Sequence, residues 1–211
     1  MKIALINGSP KVKNSASENI LNTLKKLFTE SNVISEYNFR TPKLDTKEIE
    51  EISKCNVIVF AFPLYIDEIP AHLKSCLYQM ETYFKTNLNH DIKVYVLVNC
   101  GFYEGKQGLI ALEMMENWCK KAEISWGQGI GIGGGGMLSG MASVPDGQGP
   151  KKNVWNALNI LSKNVSNCIS SENIFVSPNL PRFLYKIGGD AGWRQQIKSN
   201  GLRSKDLFIK K

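Results

Sequence analysis

Hydroxyl and amine side chains are concentrated in a short segment near the amino terminus, here called the serine segment (residues 9–17). Ser9, Ser15 and Ser17 can each donate a hydrogen bond to a phosphate oxygen, and Lys11 adds positive charge. A helix pattern begins at the end of this segment, and the N–H groups and positive dipole of a helix N-terminus favour the same anion. A capping box between Ser15 and Glu18 explains one serine but not three. The serine segment therefore predicts a phosphate site.

Two common nucleotide-binding motifs do not fit the serine segment. It lacks the GxxxxGK[ST] pattern of a P-loop triphosphatase and the GxGxxG pattern of a dinucleotide loop. The one GxGxxG match begins at Gly129 and follows the fifth predicted strand rather than the first, so glycine crowding explains it. A serine-rich loop fits instead the phosphate monoester of flavin mononucleotide (FMN), held by hydroxyl and backbone groups.

Two further segments combine aromatic side chains with groups that can face a planar ligand. In the proline segment (residues 63–66), Pro63 and Tyr65 offer rigid apolar surface and an aromatic ring. In the glycine segment (residues 99–104), Gly101 lets the backbone approach a ligand beside Phe102 and Tyr103. The N–H groups of the glycine segment are predicted to face the pyrimidine edge of a flavin, where negative charge gathers on reduction. An ordinary surface turn without a ligand is the alternative for each segment.

The cysteines and histidines do not form the patterns of a metal or disulfide site. The five cysteines are widely spaced, without CxxC or the usual zinc and iron–sulfur spacings, and only two histidines are present. We expect reduced, mostly buried thiols; Cys100 is expected to be a small buried residue, with a redox-active thiol as the alternative. No metal site and no catalytic side chain are predicted, because the chemistry is expected to come from a bound organic cofactor.

The apolar pattern predicts the elements that must hold these segments. Short β-branched runs at 3–6, 57–62 and 92–98 indicate buried strands, 33–39 indicates an edge strand, and 124–132 a glycine-rich fifth strand. Amphipathic helix patterns follow the first, third, fourth and fifth strands. This alternation predicts an α/β fold with a three-layer, doubly wound, five-stranded parallel sheet. Ligands bind beyond the carboxyl ends of such strands, which is where the three segments lie.

The length and the net charge limit how many domains the chain can form and which kinds of partner it can bind. The 211 residues suit one domain, with a core over about 1–170 and a C-terminal helical and basic extension over about 180–211. Lys and Arg number 26 against 19 Asp and Glu, a net charge of +7, which raises nucleic-acid binding as an alternative. No nucleic-acid-binding motif supports it, so a solvated basic tail is preferred. Without a membrane-length apolar run or a signal-peptide pattern, we expect a cytoplasmic protein with no nucleic-acid or membrane partner.

Taken in order, the three segments resemble the NAD(P)H-dependent FMN reductases of flavodoxin-like fold. The matching motifs are Gly8-Ser9-Pro10-Lys11 with Ser15 and Ser17, Pro63-Leu64-Tyr65 with Ile69-Pro70 and Lys74, Asn99-Cys100-Gly101-Phe102-Tyr103-Glu104, 129–137, and Asn200-Gly201-Leu202 with Asp206-Leu207. The resemblance implies bound FMN, hydride uptake from NADH or NADPH, a small-molecule acceptor such as a flavin or quinone, and a homodimer. The predicted cofactor-binding residues are Ser9, Lys11, Ser15, Ala16, Ser17, Pro63, Leu64, Tyr65, Ile66, Asn99, Cys100, Gly101, Phe102, Tyr103 and Glu104.

The chain departs from its relatives in two ways that leave alternatives open. Many relatives end the first loop in Gly-Asn-Thr or Gly-Asn-Ser, where this chain has Lys13-Asn14-Ser15-Ala16-Ser17, so the individual phosphate partners stay open. The cysteine cluster of an iron–sulfur branch is absent, so no cluster is predicted. Two other functions remain: a flavodoxin-type electron carrier without NAD(P)H activity, and a flavin-free interaction module. Such carriers are typically acidic and shorter, whereas a charge of +7 suits an anionic nicotinamide nucleotide.

Overall fold

The structure, a computed structural model, describes residues 1–141, 143–203 and 205–206, so Leu207 of the last motif lies outside the described residues. The strands are β1 (Lys2–Asn7), β2 (Val33–Asn38), β3 (Val57–Pro63), β4 (Lys93–Asn99), β5 (Ser125–Ile132) and β6 (Ile174–Val176). The α-helices are α1 (Ala16–Lys25), α2 (Thr46–Ser53), α3 (Ala71–Asn87), α4 (Leu109–Lys121), α5 (Gly135–Gly140), α6 (Lys152–Ser166) and α7 (Arg182–Ser199). Two 3₁₀ turns span Gly105–Gly108 and Gly149–Lys151.

All strands form one parallel sheet in the order β2-β1-β3-β4-β5-β6. The predicted α/β class and doubly wound parallel sheet are confirmed, and the polar strand β2 lies at an edge as predicted. Strand order reverses at β1, because β2 and β3 lie on its two sides. In such a sheet the loops after β1 and β3 diverge at this point and leave a crevice at the carboxyl edge.

The sheet has six strands, so the prediction of five was wrong. The extra strand β6 pairs in parallel with β5 and has only three residues, too few to give an apolar pattern. Its Phe175 lies over Gly131 of β5, where an added Cβ would come within 2.7 Å of the Phe175 ring. The missing side chain in β5, which weakened the strand pattern in the sequence, is thus what allows β6 to pack.

Helices cover both faces of the sheet. On one face Ala4 and Ile6 of β1 pack with apolar side chains of α2, α3 and α4. On the other face Ile3 and Leu5 pack with α1 and α6, where Leu24 of α1 is fully buried. Because helices cover both faces of the sheet, the central strands are apolar throughout instead of alternating between apolar and polar residues. This explains their short, continuous apolar runs in the sequence.

The chain divides into two compact units, Met1–Pro178 and a second that begins at Asn179. The second unit contains α7, which ends at Ser199 with Asn200 as its C-cap residue. Gly201 follows with a φ of +74°, the left-handed conformation that commonly terminates helices. Among the helices of the described residues, none is long and apolar enough to cross a membrane.

Close backbone contacts at Gly105 fix the chain that follows β4. A Cβ at Gly105 would lie 2.3 Å from the Gly131 carbonyl oxygen and 2.4 Å from that of Val176. Gly133 is similarly tight, because a Cβ there would lie 2.0 Å from the carbonyl oxygen of Tyr103. The glycine segment is therefore held against β5 and β6 by backbone contact that leaves no room for side chains.

We expect Gly105→Ala to lower the free energy of unfolding by about 1–3 kcal/mol, because the added methyl overlaps two carbonyl oxygens of the sheet. Urea unfolding measures this change. Gly140→Ala is the matched control, since a Cβ at Gly140 has no atom within 4 Å and alanine is favoured in a helix. Equal stability of the two variants would contradict the assignment of Gly105 as a packing position.

Candidate functional site

The carboxyl ends of β1, β3 and β4 surround a cavity of about 340 Å³, which is in the range of small-ligand sites. All three predicted segments contribute to it. Its lining residues are Ser9, Lys11, Asn14, Ser15, Ala16, Ser17, Pro63, Leu64, Tyr65, Asn99, Cys100, Gly101 and Gly136. Residues far apart in the sequence thus converge because parallel strands end at one edge of the sheet.

Four of the predicted binding residues lie outside this lining: Ile66, Phe102, Tyr103 and Glu104. The Ile66 side chain is 96% exposed, and that of Phe102 is also exposed. Two lining residues, Asn14 and Gly136, were not predicted. Gly136 belongs to the glycine run after β5 and lies within the stretch 129–137 that resembles the family, although it was not among the predicted binding residues.

Side-chain hydrogen bonds shape the serine segment from its beginning. The Asn7 Oδ1 atom accepts a hydrogen bond from the Ser9 N–H at 3.1 Å, and Ser9 Oγ accepts one from the Lys11 N–H at 3.3 Å. The Asn7 amide in turn donates to Asn38 Oδ1 at 3.1 Å, which fixes the orientation of the Asn7 side chain. Two consecutive side-chain turns therefore set the loop conformation, with β2 as their support.

Helix α3 supports the same loop from the other side. The Nε2 atom of His72 lies 3.2 Å from the Gly8 carbonyl oxygen and 3.1 Å from that of Phe39. Both partners are acceptors, so the Nε2 atom carries a proton and donates to them. The neighbouring Leu73 packs so closely that a Cβ at Gly8 would lie 2.6 Å from its Cδ2 atom. His72 is therefore a structural link between the loops that follow β1 and β2.

The three serines share one hydrogen-bonding arrangement. Ser9 Oγ accepts from the Lys11 N–H, Ser15 Oγ from the Glu18 N–H at 3.0 Å, and Ser17 Oγ from the Asn99 amide at 2.8 Å. Their exposed fractions are only 4%, 2% and 1%. Among the hydrogen bonds of the described residues, none has any of these hydroxyls as its donor. Each serine therefore keeps a hydroxyl proton for an acceptor in the cavity.

Helix α1 adds backbone donors to this set. Ser15 is the N-cap residue, and the capping box with Glu18 satisfies the N–H groups of both residues. Within the described part of the chain, no hydrogen bond uses the N–H groups of Ala16 and Ser17, which lie in the first turn. The predicted capping box is present and is compatible with an anion site, because the cap uses the lone pair of the Ser15 hydroxyl and leaves the N–H groups of Ala16 and Ser17 unused.

Asn99 braces the cavity from the end of β4. Its amide donates to Ser17 Oγ at 2.8 Å and to the Phe62 carbonyl oxygen at 3.0 Å, and the side chain is buried. Both amide hydrogens are thus used within the protein. Asn99 thus joins the ends of α1, β3 and β4. Because the Asn99 amide donates to Ser17 Oγ, the hydroxyl proton of Ser17 must point away from that amide.

The proline segment ends in a tight turn under backbone strain. Tyr65 and Glu68 exchange two backbone hydrogen bonds, at 3.1 and 3.0 Å, across Ile66 and Asp67. These two central residues have φ values of 50° and 60°, as in a type I′ turn, although β-branched isoleucine disfavours this conformation. Strain of this kind persists where the surrounding structure imposes it, and here it lies next to the cavity wall formed by Tyr65.

Cys100 lines the cavity as a protonated thiol. Burial raises the pKa of the Cys100 thiol, the nearby Glu104 and Asp67 carboxylates raise it further, and a hydrogen bond with the Phe102 backbone opposes them. The thiolate is the reactive form of cysteine, so this environment disfavours nucleophilic or redox chemistry at neutral pH. Among the residues that the structure describes, no group of three or more His, Cys, Asp or Glu side chains could hold a metal ion.

We expect Cys100 to resist alkylation in the native protein at pH 7, because a raised pKa lowers the thiolate fraction below that of an ordinary thiol. Its reaction rate should rise with pH into the alkaline range, as thiolate forms. Exposed Cys168 should be modified first. Peptide mass spectrometry after iodoacetamide treatment measures both sites. Rapid labelling of Cys100 at neutral pH would contradict the account of a buried, protonated thiol.

Comparison with known proteins places this geometry in a family. Residues 1–116, just over half of the chain, match the family model described as flavodoxin-like fold. No curated protein matches the sequence.

Several solved structures share the fold. An NAD(P)H:quinone oxidoreductase from Methanothermobacter marburgensis is 17% identical with a TM-score of 0.56, over 78% of this chain and 95% of that one. An NADPH-quinone reductase from P. pentosaceus is 13% identical with a TM-score of 0.54, over 78% and 96%. A flavodoxin, WrbA-like protein from Agrobacterium tumefaciens is 8% identical with a TM-score of 0.54, over 79% and 95%. The resemblance seen in the sequence is thus confirmed at the level of the family, and the chain belongs to the family of flavodoxin-like fold.

Proposed function

We propose that the cavity binds FMN and that the protein is an oxidoreductase that passes electrons from NADH or NADPH to a small-molecule acceptor such as a free flavin or a quinone. The observation that carries this proposal is the donor set of the serine segment. Three buried hydroxyl protons and two N–H groups of α1 converge where the described residues provide no acceptor for them.

A phosphate monoester fits this donor set. At neutral pH such a group carries a charge of about −1.5 to −2 and has three strong acceptor oxygens. Ser9, Ser15 and Ser17 would hold it together with the first turn of α1, whose dipole favours an anion. The Lys11 ammonium group, which donates to the Asn14 carbonyl oxygen at 3.2 Å, adds positive charge to the same loop. A neutral ligand would leave these donors without charge-assisted partners.

The other two segments provide walls suited to a flat ring. Pro63, Leu64 and Tyr65 form one side of the cavity, and Cys100 and Gly101 another. When bound there, FMN supplies reversible hydride acceptance, which no side chain of the cavity can provide. The protein's own contribution is to hold the ring in place and to keep one side accessible, with Tyr65 half exposed at the opening.

Two observations support NADH or NADPH as the electron donor. Two structures of the same fold are named NADPH-quinone reductase and NAD(P)H:quinone oxidoreductase, and a third is named flavone reductase. The net charge of +7 also favours an anionic nucleotide over the docking of a basic partner. A homodimer and a cytoplasmic location stay predictions.

The direct test adds FMN to the purified protein, records the visible spectrum, and then follows NADH and NADPH consumption with a quinone or free flavin as acceptor. We expect a bound-flavin spectrum and steady consumption of at least one nucleotide. Bound flavin without nucleotide consumption would favour the electron carrier. A protein that binds no FMN would contradict the proposal.

We expect Ser9→Ala to weaken FMN binding by roughly 10- to 100-fold, because it removes one hydrogen bond to a charged phosphate. Flavin fluorescence titration measures the dissociation constant. Ser162→Ala is the matched control: Ser162 is also a buried serine, but its hydroxyl already donates to the Asn159 carbonyl oxygen at 2.9 Å. If both variants bound FMN like the original protein, Ser9 would not be a phosphate ligand.

A further inference from the structure

The positive charge of the chain is concentrated in its second unit. Residues 179–211 contain eight Lys and Arg residues but only two Asp residues and no Glu, which gives a net charge of +6. The first 178 residues carry the remaining +1, although they make up most of the chain. The second unit therefore attracts anionic partners far more strongly, for its size, than the first.

Helix α7 of the second unit exposes apolar side chains. None of its residues is buried. Phe183, Leu184 and Ile187 are 64%, 46% and 61% exposed. Residues three or four positions apart lie on the same side of a helix, so these side chains form one apolar face over the first two turns of α7. Contiguous exposed apolar surface of this kind marks an interaction site.

The same side of α7 becomes basic towards the C-terminal end of the helix. Ile187, Ala191, Arg194 and Lys198 follow one another at spacings of three or four residues, and together they line one concave surface. The Asp190 carboxylate lines it too, so that two cations share it with a single anion. Among the ion pairs of the described residues, none uses Arg194 or Lys198. One side of α7 thus presents an apolar face at its beginning and a basic end.

We propose that α7 binds the surface of an anionic lipid bilayer, with the apolar face among the acyl chains and the basic end at the headgroup phosphates. A bilayer surface offers apolar and anionic groups side by side, as α7 requires. This surface role goes beyond the proposed function and does not depend on it. The expectation of no membrane partner rested on segments that span a membrane or direct export, and a helix that lies on the surface needs neither.

Two other partners match α7 less well. A second copy of the chain offers a first unit with a net charge of +1, which does not attract a unit with a charge of +6. A nucleic acid supplies phosphates, but it has no aliphatic surface to cover Leu184 and Ile187. Only the bilayer satisfies the charge and the apolar face together.

The test is co-sedimentation of the full-length protein with vesicles. One set contains phosphatidylcholine alone, and the other contains equal amounts of phosphatidylcholine and anionic phosphatidylglycerol. We expect binding to the mixed vesicles, little binding to the neutral ones, and weaker binding as salt is added, because salt screens the headgroup charge. Absence of binding to the mixed vesicles, or equal binding to both sets, would overturn the proposal.

The apolar face is tested by the double variant Phe183→Ser, Ile187→Ser, which removes two side chains that bury apolar area in the bilayer. We expect it to weaken binding to the mixed vesicles at least about tenfold. Tyr78→Ser is the matched control, because Tyr78 is 71% exposed on α3 of the first unit. Since α7 has no buried residue, the double variant should unfold at the same urea concentration as the original protein. An equal loss of binding in the control would contradict the assignment of the apolar face.

The basic end is tested by the double variant Arg194→Gln, Lys198→Gln, which should weaken binding at low salt about tenfold and reduce its dependence on salt. The control with the same loss of net charge is Lys54→Gln, Lys120→Gln, because these lysines pair with glutamates on helices of the first unit. Equal effects of the two double variants would show attraction by total charge alone and would overturn the assignment of the basic end.

Two parallel measurements identify the other partners. Fluorescence anisotropy with a short DNA duplex, and sedimentation velocity over a range of protein concentrations, would be run on the original protein and on Phe183→Ser, Ile187→Ser. DNA binding or dimerisation that the double variant loses, without binding to the mixed vesicles, would assign α7 to that partner and overturn the bilayer proposal. FMN binding should be the same in all variants, so its failure would contradict only the proposed function.

Discussion

The structure depends on a constraint at the N-terminus of α1, where buried serine hydroxyls accept hydrogen bonds from the chain and donate none to any of the residues that the structure describes. A hydroxyl can donate one hydrogen bond as well as accept, and buried polar groups in folded proteins generally use their hydrogen-bonding capacity. Here the donors Lys11 N–H, Glu18 N–H and the Asn99 amide fix the orientation of three hydroxyls. The three protons are left for an acceptor in the cavity, which we propose to be a bound phosphate.

The surrounding fold maintains that arrangement through rigid contacts. Asn7 at the end of β1 and Asn99 at the end of β4 act as hydrogen-bonding braces, one on each side of the serine segment. Glycine-to-backbone contacts near Gly105 and Gly133 hold the glycine segment against β5 and β6. The edge strand β6 therefore matters to the site although none of its residues lines the cavity. A preorganised donor set of this kind binds an anion without first reorganising the loop.

The sequence predicted the central strands, α1 and the three segments because each depends on local patterns. Continuous apolar runs identify buried strands, and a serine before a glutamate three residues later identifies the start of α1. The features that could not be predicted from the sequence depend on contacts between residues that are far apart in the chain. Strand β6 can pair with β5 because Phe175 packs over Gly131, which has no side chain. His72 links two loops because its position on α3 brings it within hydrogen-bond distance of both. Asn99 was predicted to bind a cofactor, but only the structure shows that its amide hydrogens are already used by Ser17 and Phe62.

The central claim is that the serine segment recognises a phosphate monoester, and riboflavin tests it most directly because it has the ring and side chain of FMN without the phosphate. The two flavins would be titrated separately into the same flavin-free protein while their fluorescence is followed. The account predicts that FMN binds at least about 100-fold more tightly than riboflavin, since several charge-assisted hydrogen bonds depend on the phosphate. Equal affinity for the two flavins would contradict it, because the three hydroxyl protons would then have no part in binding.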